Sequence, residues 1–135
     1  MSGVNSKKLW TDRIPEHDEF KNTVNDVAIS PDGTRAVVAV GTRVLLYDAV
    51  TGELLESLRG HKETVRSVDY SSDGSHFASC GKDRVVVIWK ANGQGKLKYN
   101  HSSSVQCIKY SPVSFMLASC AEVSLFHSSL YILIV

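Results

Sequence analysis

The chain has 135 residues, with 15 Lys and Arg against 14 Asp and Glu, 43% hydrophobic and 8% aromatic content. That balance describes one soluble globular domain and excludes a collagen, a disordered tail and a membrane bundle. A formal net charge of +1 gives no general electrostatic reason to collect on phosphate backbones or anionic lipid, so neither nucleic acid nor membrane insertion is expected.

Met1 to Lys8 is polar, without the apolar run and small-residue cleavage site of a secretory signal, and is expected to be disordered. Gly3 is one position too late for myristoylation. Residues 1–20 form an N-terminal segment in which Leu9-Trp10, before Asp12, reads as an edge strand in need of a partner. Cys80, Cys107 and Cys120 form an odd set with no CxxC pair, which points to a reducing compartment and buried free thiols.

From residue 21 the chain repeats. Val24-Asn25-Asp26-Val27-Ala28-Ile29-Ser30, Val65-Arg66-Ser67-Val68-Asp69-Tyr70-Ser71 and Val105-Gln106-Cys107-Ile108-Lys109-Tyr110-Ser111 share one pattern, at offsets of 41 and 40 residues. Each runs into a turn, Pro31-Asp32-Gly33, Ser72-Asp73-Gly74 or Pro112-Val113-Ser114, and then into an apolar segment near Val37, Phe77 or Leu117. A period of this length marks a propeller or an array. Its segments are short, rich in Val, Ile and Tyr and bounded by turn residues, which predicts strands and no helix.

The first period, 21–58, turns at Asp32-Gly33 and Thr51-Gly52 and carries the apolar run Val44-Leu45-Leu46-Tyr47-Asp48. The second, 59–99, places strands near Val65 to Tyr70, His76 to Cys80, Val85 to Trp89 and Lys96 to Tyr99. Its turns are Asp73-Gly74, Gly81-Lys82-Asp83-Arg84 and Asn92-Gly93. The central runs lack polar alternation, as in strands buried on both faces between stacked sheets. The third period, 100–120, is partial. Residues 121–135 form a divergent tail ending Leu130-Tyr131-Ile132-Leu133-Ile134-Val135, an aggregation-prone segment far too short to span a bilayer.

The second period carries Gly60-His61 before its first strand, Ser79 in the second, Asp83 in the following turn and Trp89 ending the third. With these residues the chain resembles the WD40 repeat family, whose signature is a Gly-His pair and a Trp-Asp pair in repeats of this length. The resemblance implies an all-β propeller, here incomplete, with about three four-stranded blades of which the third is degenerate. It also implies that His61, Ser79, Asp83 and Trp89 form a buried hydrogen-bonded tetrad. Asp accepts from the imidazole, the other ring nitrogen meets the hydroxyl, and the hydroxyl accepts from the indole N–H. In the first period Tyr47-Asp48 stands in the Trp-Asp place and the Gly41-Thr42-Arg43 turn has no Asp. In the third, Asn100-His101 replaces Gly-His and Ser119 is kept, but counting by the second period's spacing lands on Val123 and Ser129.

Further stretches, Arg43-Val44-Leu45-Leu46-Tyr47-Asp48 and the far less generic Leu97-Lys98-Tyr99-Asn100-His101 and Val105 to Pro112, resemble the WD-repeat subunits of intraflagellar transport complex A over roughly residues 20 to 120. This implies a non-catalytic scaffold for retrograde ciliary transport and cilium assembly, placed in the cytoplasm, cilium and ciliary base. Its partners would be protein subunits of that complex, with no small-molecule substrate and no cofactor. The alternative is a generic WD40 adaptor, such as a ubiquitin-ligase substrate receptor or a coat component.

Two chemical readings compete with the tetrad. His61, Asp83 and Ser79 have the residue types of an acyl-transfer triad, but Ser79 lies in no Gly-x-Ser-x-Gly elbow and Trp89 completes the structural alternative. The cysteines with His61, His76 and His101 lack the close spacing of a zinc site. No catalytic, metal or cofactor-binding residue is therefore assigned. Lys7-Lys8, Lys96 and Lys98 read as solvated surface.

Overall fold

A computed structural model describes residues 7–14, 23–122 and 129–134. Eleven strands occur among them, all antiparallel to their neighbours in the sheet. The first sheet takes β1 (Val24–Ile29), β2 (Arg35–Val40), β3 (Arg43–Asp48) and β4 (Leu54–Arg59) in sequence order, and the second repeats this with β5 (Val65–Tyr70), β6 (His76–Gly81), β7 (Val85–Lys90) and β8 (Gly95–Asn100). The third has β9 (Val105–Tyr110), β10 (Met116–Ala121) and β11 (Ser129–Ile134). The sheets are three consecutive blades of an incomplete propeller, and the all-β expectation holds.

Local chemistry explains the blade plan. The β1–β2 connection is tied by Asp32, whose Oδ1 accepts from Ser30 Oγ at 2.7 Å, Thr34 Oγ1 at 2.8 Å and the Thr34 N–H at 3.0 Å. Asp73 repeats the pattern between β5 and β6, accepting from the Ser71 and Ser75 hydroxyls, each at 2.7 Å, and from the Ser75 N–H at 3.0 Å. These donors hold both carboxyls down at a pKa of about 2. Gly33 and Gly74 follow at φ 74° and 72°, a backbone region that disfavours a Cβ. The third blade has no Asp at this turn and turns instead on Ser111, whose Oγ accepts from the Val113 N–H at 3.3 Å.

The strands β1, β5 and β9 lead their blades and contact one another in series. The outward backbone groups of β5 and β9 would be unpaired strand edges, and side chains of the preceding blade meet them. Asp26 accepts from the Val68 N–H at 3.0 Å and Ser67 Oγ at 3.1 Å, Asn25 Nδ2 donates to the Val65 carbonyl at 2.9 Å, and Asp69 accepts from the Tyr110 N–H at 2.8 Å.

Behind these seams lie two apolar cores. Val37, Ala39, Val44 and Leu46 of the first blade pack on Val65, Val68, Tyr70, Phe77, Val87 and Trp89 of the second. Ala78, Cys80, Val86 and Ile88 of the second pack on Val105, Ile108 and Leu117 of the third.

Both ends of the chain depart from the sequence reading. Residues 7–14 form no strand. Instead Trp10 stacks on Tyr47 with ring centroids 5.6 Å apart, donates its indole N–H to the Ala49 carbonyl at 2.9 Å, and leaves Asp12 to accept from the Tyr47 hydroxyl at 2.9 Å. Burial and the Asp12 carboxylate push the Tyr47 phenol up to about 12. Met1 to Ser6, whose disorder was expected, lie outside the described residues. In the tail, Ser129–Ile134 is a strand paired with β10. Its register sets Leu133 opposite Leu117, as Trp89 stands opposite Phe77, so the Trp place in the third blade is Leu133 and not Ser129. Counting fails there because the β10–β11 connection is longer than Lys82-Asp83-Arg84. Val123, the counted Asp place, lies outside the described residues.

Candidate functional site: a buried polar chain in the second blade

The turn between β6 and β7 aims Asp83. Lys82 N–H donates to the Thr64 carbonyl at 2.9 Å and Arg84 N–H to the Gly81 carbonyl at 3.2 Å. Arg84 takes φ 68°, the single positive φ outside glycine among the described residues, a conformation that costs on the order of 1 kcal/mol. The carboxylate then lies under the segment preceding β5. Asp83 Oδ2 accepts from the Lys62 N–H at 3.0 Å, Oδ1 accepts from the Val85 N–H at 3.3 Å, and His61 Nδ1 lies 3.0 and 3.1 Å from the two oxygens.

From His61 the chain continues inward. Nε2 lies 2.7 Å from Ser79 Oγ, and Trp89 Nε1 lies 2.9 Å from the same oxygen. The directions follow from chemistry: a carboxylate only accepts and an indole only donates. Hence His61 Nδ1–H donates to Asp83, Ser79 O–H donates to Nε2, and Trp89 N–H donates to Ser79. All four predicted residues are brought together. Gly60 belongs with them, because a Cβ there would stand 2.6 Å from the Trp89 ring. The spacing did not single out Gly60 as a contact, although the Gly-His pair carried the signal.

The geometry has the order of an Asp-His-Ser triad, but Ser79 is 0% exposed and its proton and lone pair are both engaged. A substrate carbonyl has no approach to it. Burial holds the His61 imidazole below its ordinary pKa, with Asp83 pulling the other way, and burial alone lowers His101. The unfolded chain therefore takes up protons first as pH falls. The contribution of these imidazoles is fully present above the ordinary value of 6.5 and drains away below it, towards their folded pKa values. The urea midpoint is expected to be lower at pH 5.5 than at pH 7.5, and His61→Gln to narrow that gap. A midpoint equal at both pH values would contradict the assignment.

In the third blade His101 Nε2 lies 2.9 Å from Ser119 Oγ, so the inner half of the chain recurs there. In the first blade the positions matching Ser79 and Trp89 are Val38 and Tyr47, which hold no such link.

The cysteines correct one expectation. Cys80 is buried, which pushes its thiol far up, but Cys107 and Cys120 are only half-buried and stand directly opposite each other on β9 and β10. No cluster of three or more His, Cys, Asp or Glu with metal-binding geometry occurs among the described residues, and they include no helix long and apolar enough to cross a membrane.

Two grooves open between blades. One of about 710 Å³ is lined by Asp32, Arg35, Glu56, Tyr70 and Asp73, and one of about 400 Å³ by Glu63, Lys82, Arg84 and Ser102 to Ser104.

The model of the family described as the IFT122 first beta-propeller matches residues 23–128. The chain belongs to this family. Among IFT122 relatives, the intraflagellar transport protein 122 homolog of Xenopus tropicalis is 45% identical over 113 residues, covering 84% of this chain and 10% of the relative. The Homo sapiens protein of the same name is 45% identical over 105 residues, or 78% of this chain and 8% of the relative. More distant is the actin-interacting protein 1-2 of Arabidopsis thaliana, 33% identical over 102 residues, 71% of this chain and 17% of the relative. The chain thus spans about a tenth of the length of the IFT122 relatives it matches.

Proposed function

We propose that this chain is a non-catalytic interaction scaffold that works within intraflagellar transport complex A, in retrograde ciliary transport and cilium assembly. Its place is the cytoplasm, the cilium and the ciliary base, and its partners are protein subunits of that complex. The observation that carries this reading is the match to the IFT122 first propeller across residues 23–128. The site is compatible with it: the polar groups of His61, Ser79, Asp83 and Trp89 are turned inward on one another, which leaves the surrounding loops and grooves of the blade for recognition. Fold alone does not give function, so the role rests on family membership.

The test is affinity purification of the tagged chain from ciliated cells. Co-elution of complex A subunits is the expected result. Recovery of ubiquitin-ligase or coat subunits in their place would favour the adaptor alternative, and recovery of chaperones alone would overturn the scaffold role for this chain.

A further inference from the structure

The seam between the first two blades holds a groove whose charge the repeat plan does not explain. This cavity of about 710 Å³ has Asp32 and Glu56 of the first blade on one bank and Asp73 of the second on the other. Asp32 comes from the β1–β2 turn, Glu56 from β4 and Asp73 from the β5–β6 turn. At the seam of the second and third blades the same places are taken by Asp73, Leu97 and Val113, so a single carboxylate stands there. The acidic groove is thus particular to the first seam.

Its carboxylates can receive a ligand. The donors that organise the two turns all meet Oδ1 of Asp32 and of Asp73, which leaves Oδ2 of each to an incoming N–H. The same donors keep both groups ionised at neutral pH, with a pKa of about 2. Arg35 also lines the groove, but its guanidinium is already held by Asp48 Oδ2 and the Thr34 carbonyl, each at 3.1 Å.

The floor supplies an independent observation. Tyr70 lines the groove and is 7% exposed, and its Oη is buried without a hydrogen-bond partner among the described residues. The charges of Arg35 and Asp32 act on this hydroxyl, so the polar end of the ring is the end turned to the groove. A buried hydroxyl left unpaired is costly, and a donor entering the groove would satisfy it.

The occupant follows from the layout. The carboxylates form no metal-binding cluster among the described residues. A half-open groove does not enclose a small molecule but lets a chain segment cross it. A guanidinium on a long apolar stem fits both facts. Its donors fan out in one plane towards separate acceptors, and the stem has Leu55 to lie on.

We propose that this groove docks an arginine side chain of a partner protein segment, its guanidinium bridging Asp32, Asp73 and Glu56 and donating to Tyr70 Oη. The site stands apart from the complex A reading, because it asks for an exposed arginine and not for any particular subunit.

Amide NMR of the purified chain, titrated with the blocked peptide acetyl-Gly-Arg-Gly-amide, tests this. Signals of residues 30–35 and 71–74 are expected to shift, and the response to weaken as salt is raised. The citrulline peptide keeps the shape without the charge and is expected to give no response, and the lysine peptide a weaker one. Glu56→Gln, at an exposed position, is expected to weaken binding about threefold. Tyr70→Phe is expected to weaken it about tenfold while the urea midpoint stays level or rises, since an unpaired buried hydroxyl has been removed. Those two readouts separate binding from folding. Absence of shifts in both segments, an equal response to citrulline or to lysine, or affinity unchanged in Tyr70→Phe and Glu56→Gln would each overturn the proposal.

Discussion

Phe77→Ala is expected to lower the unfolding free energy by about 4 kcal/mol, the range for emptying a fully buried aromatic site. Phe77 is 0% exposed. Its ring lies 5.4 Å from that of Tyr70 and 6.3 Å from that of Trp89, within the core joining the first two blades. Truncation removes these contacts and leaves a cavity that two paired strands, β5 and β7, prevent from collapsing. A loss of this size is a large fraction of the stability of a small domain, so the variant should be mostly unfolded at moderate temperature. Urea titration followed by tryptophan emission checks it, and a loss below about 1 kcal/mol would show that the seam repacks freely.

Asp83→Ala is expected to cost about 3 kcal/mol. Its side chain is 7% exposed and accepts from His61, Lys62 N–H and Val85 N–H, so alanine leaves three donors without their acceptor. Asp83→Asn keeps one carbonyl oxygen and is expected to lose less. The loss should propagate to the indole, since His61 no longer orients Ser79 for Trp89. Equal thermal stability of the Ala variant and the parent would mean that the four residues are neighbours without being a linked chain.

The tetrad shows how far local reasoning reaches. The resemblance to the WD40 repeat implies His61, Ser79, Asp83 and Trp89 as a cluster, and it transfers because each sits at a fixed offset from a turn or a strand end that the blade plan converts into one place. Where the turn lengthens, as between β10 and β11, the same counting gave Ser129 in place of Leu133. Asn25, Asp26 and Asp69 were not singled out at all, although a carboxylate inside an apolar strand was a signal. Their partners lie about 40 residues away on the next blade, at positions only register defines.

What the sequence determined by itself is therefore what short-range physics controls. The runs of β-branched residues make strands, Asp32-Gly33 and Asp73-Gly74 make tight connections, and a period near 40 residues makes blades. Only the tertiary structure decided how the blades meet: Trp10 laid against Tyr47 and Gly52, Cys107 placed opposite Cys120, and an apolar face left open on β1. Such contacts join segments far apart in the chain, so they depend on which face each strand turns and on what stands beside it, and neither is encoded in any one period.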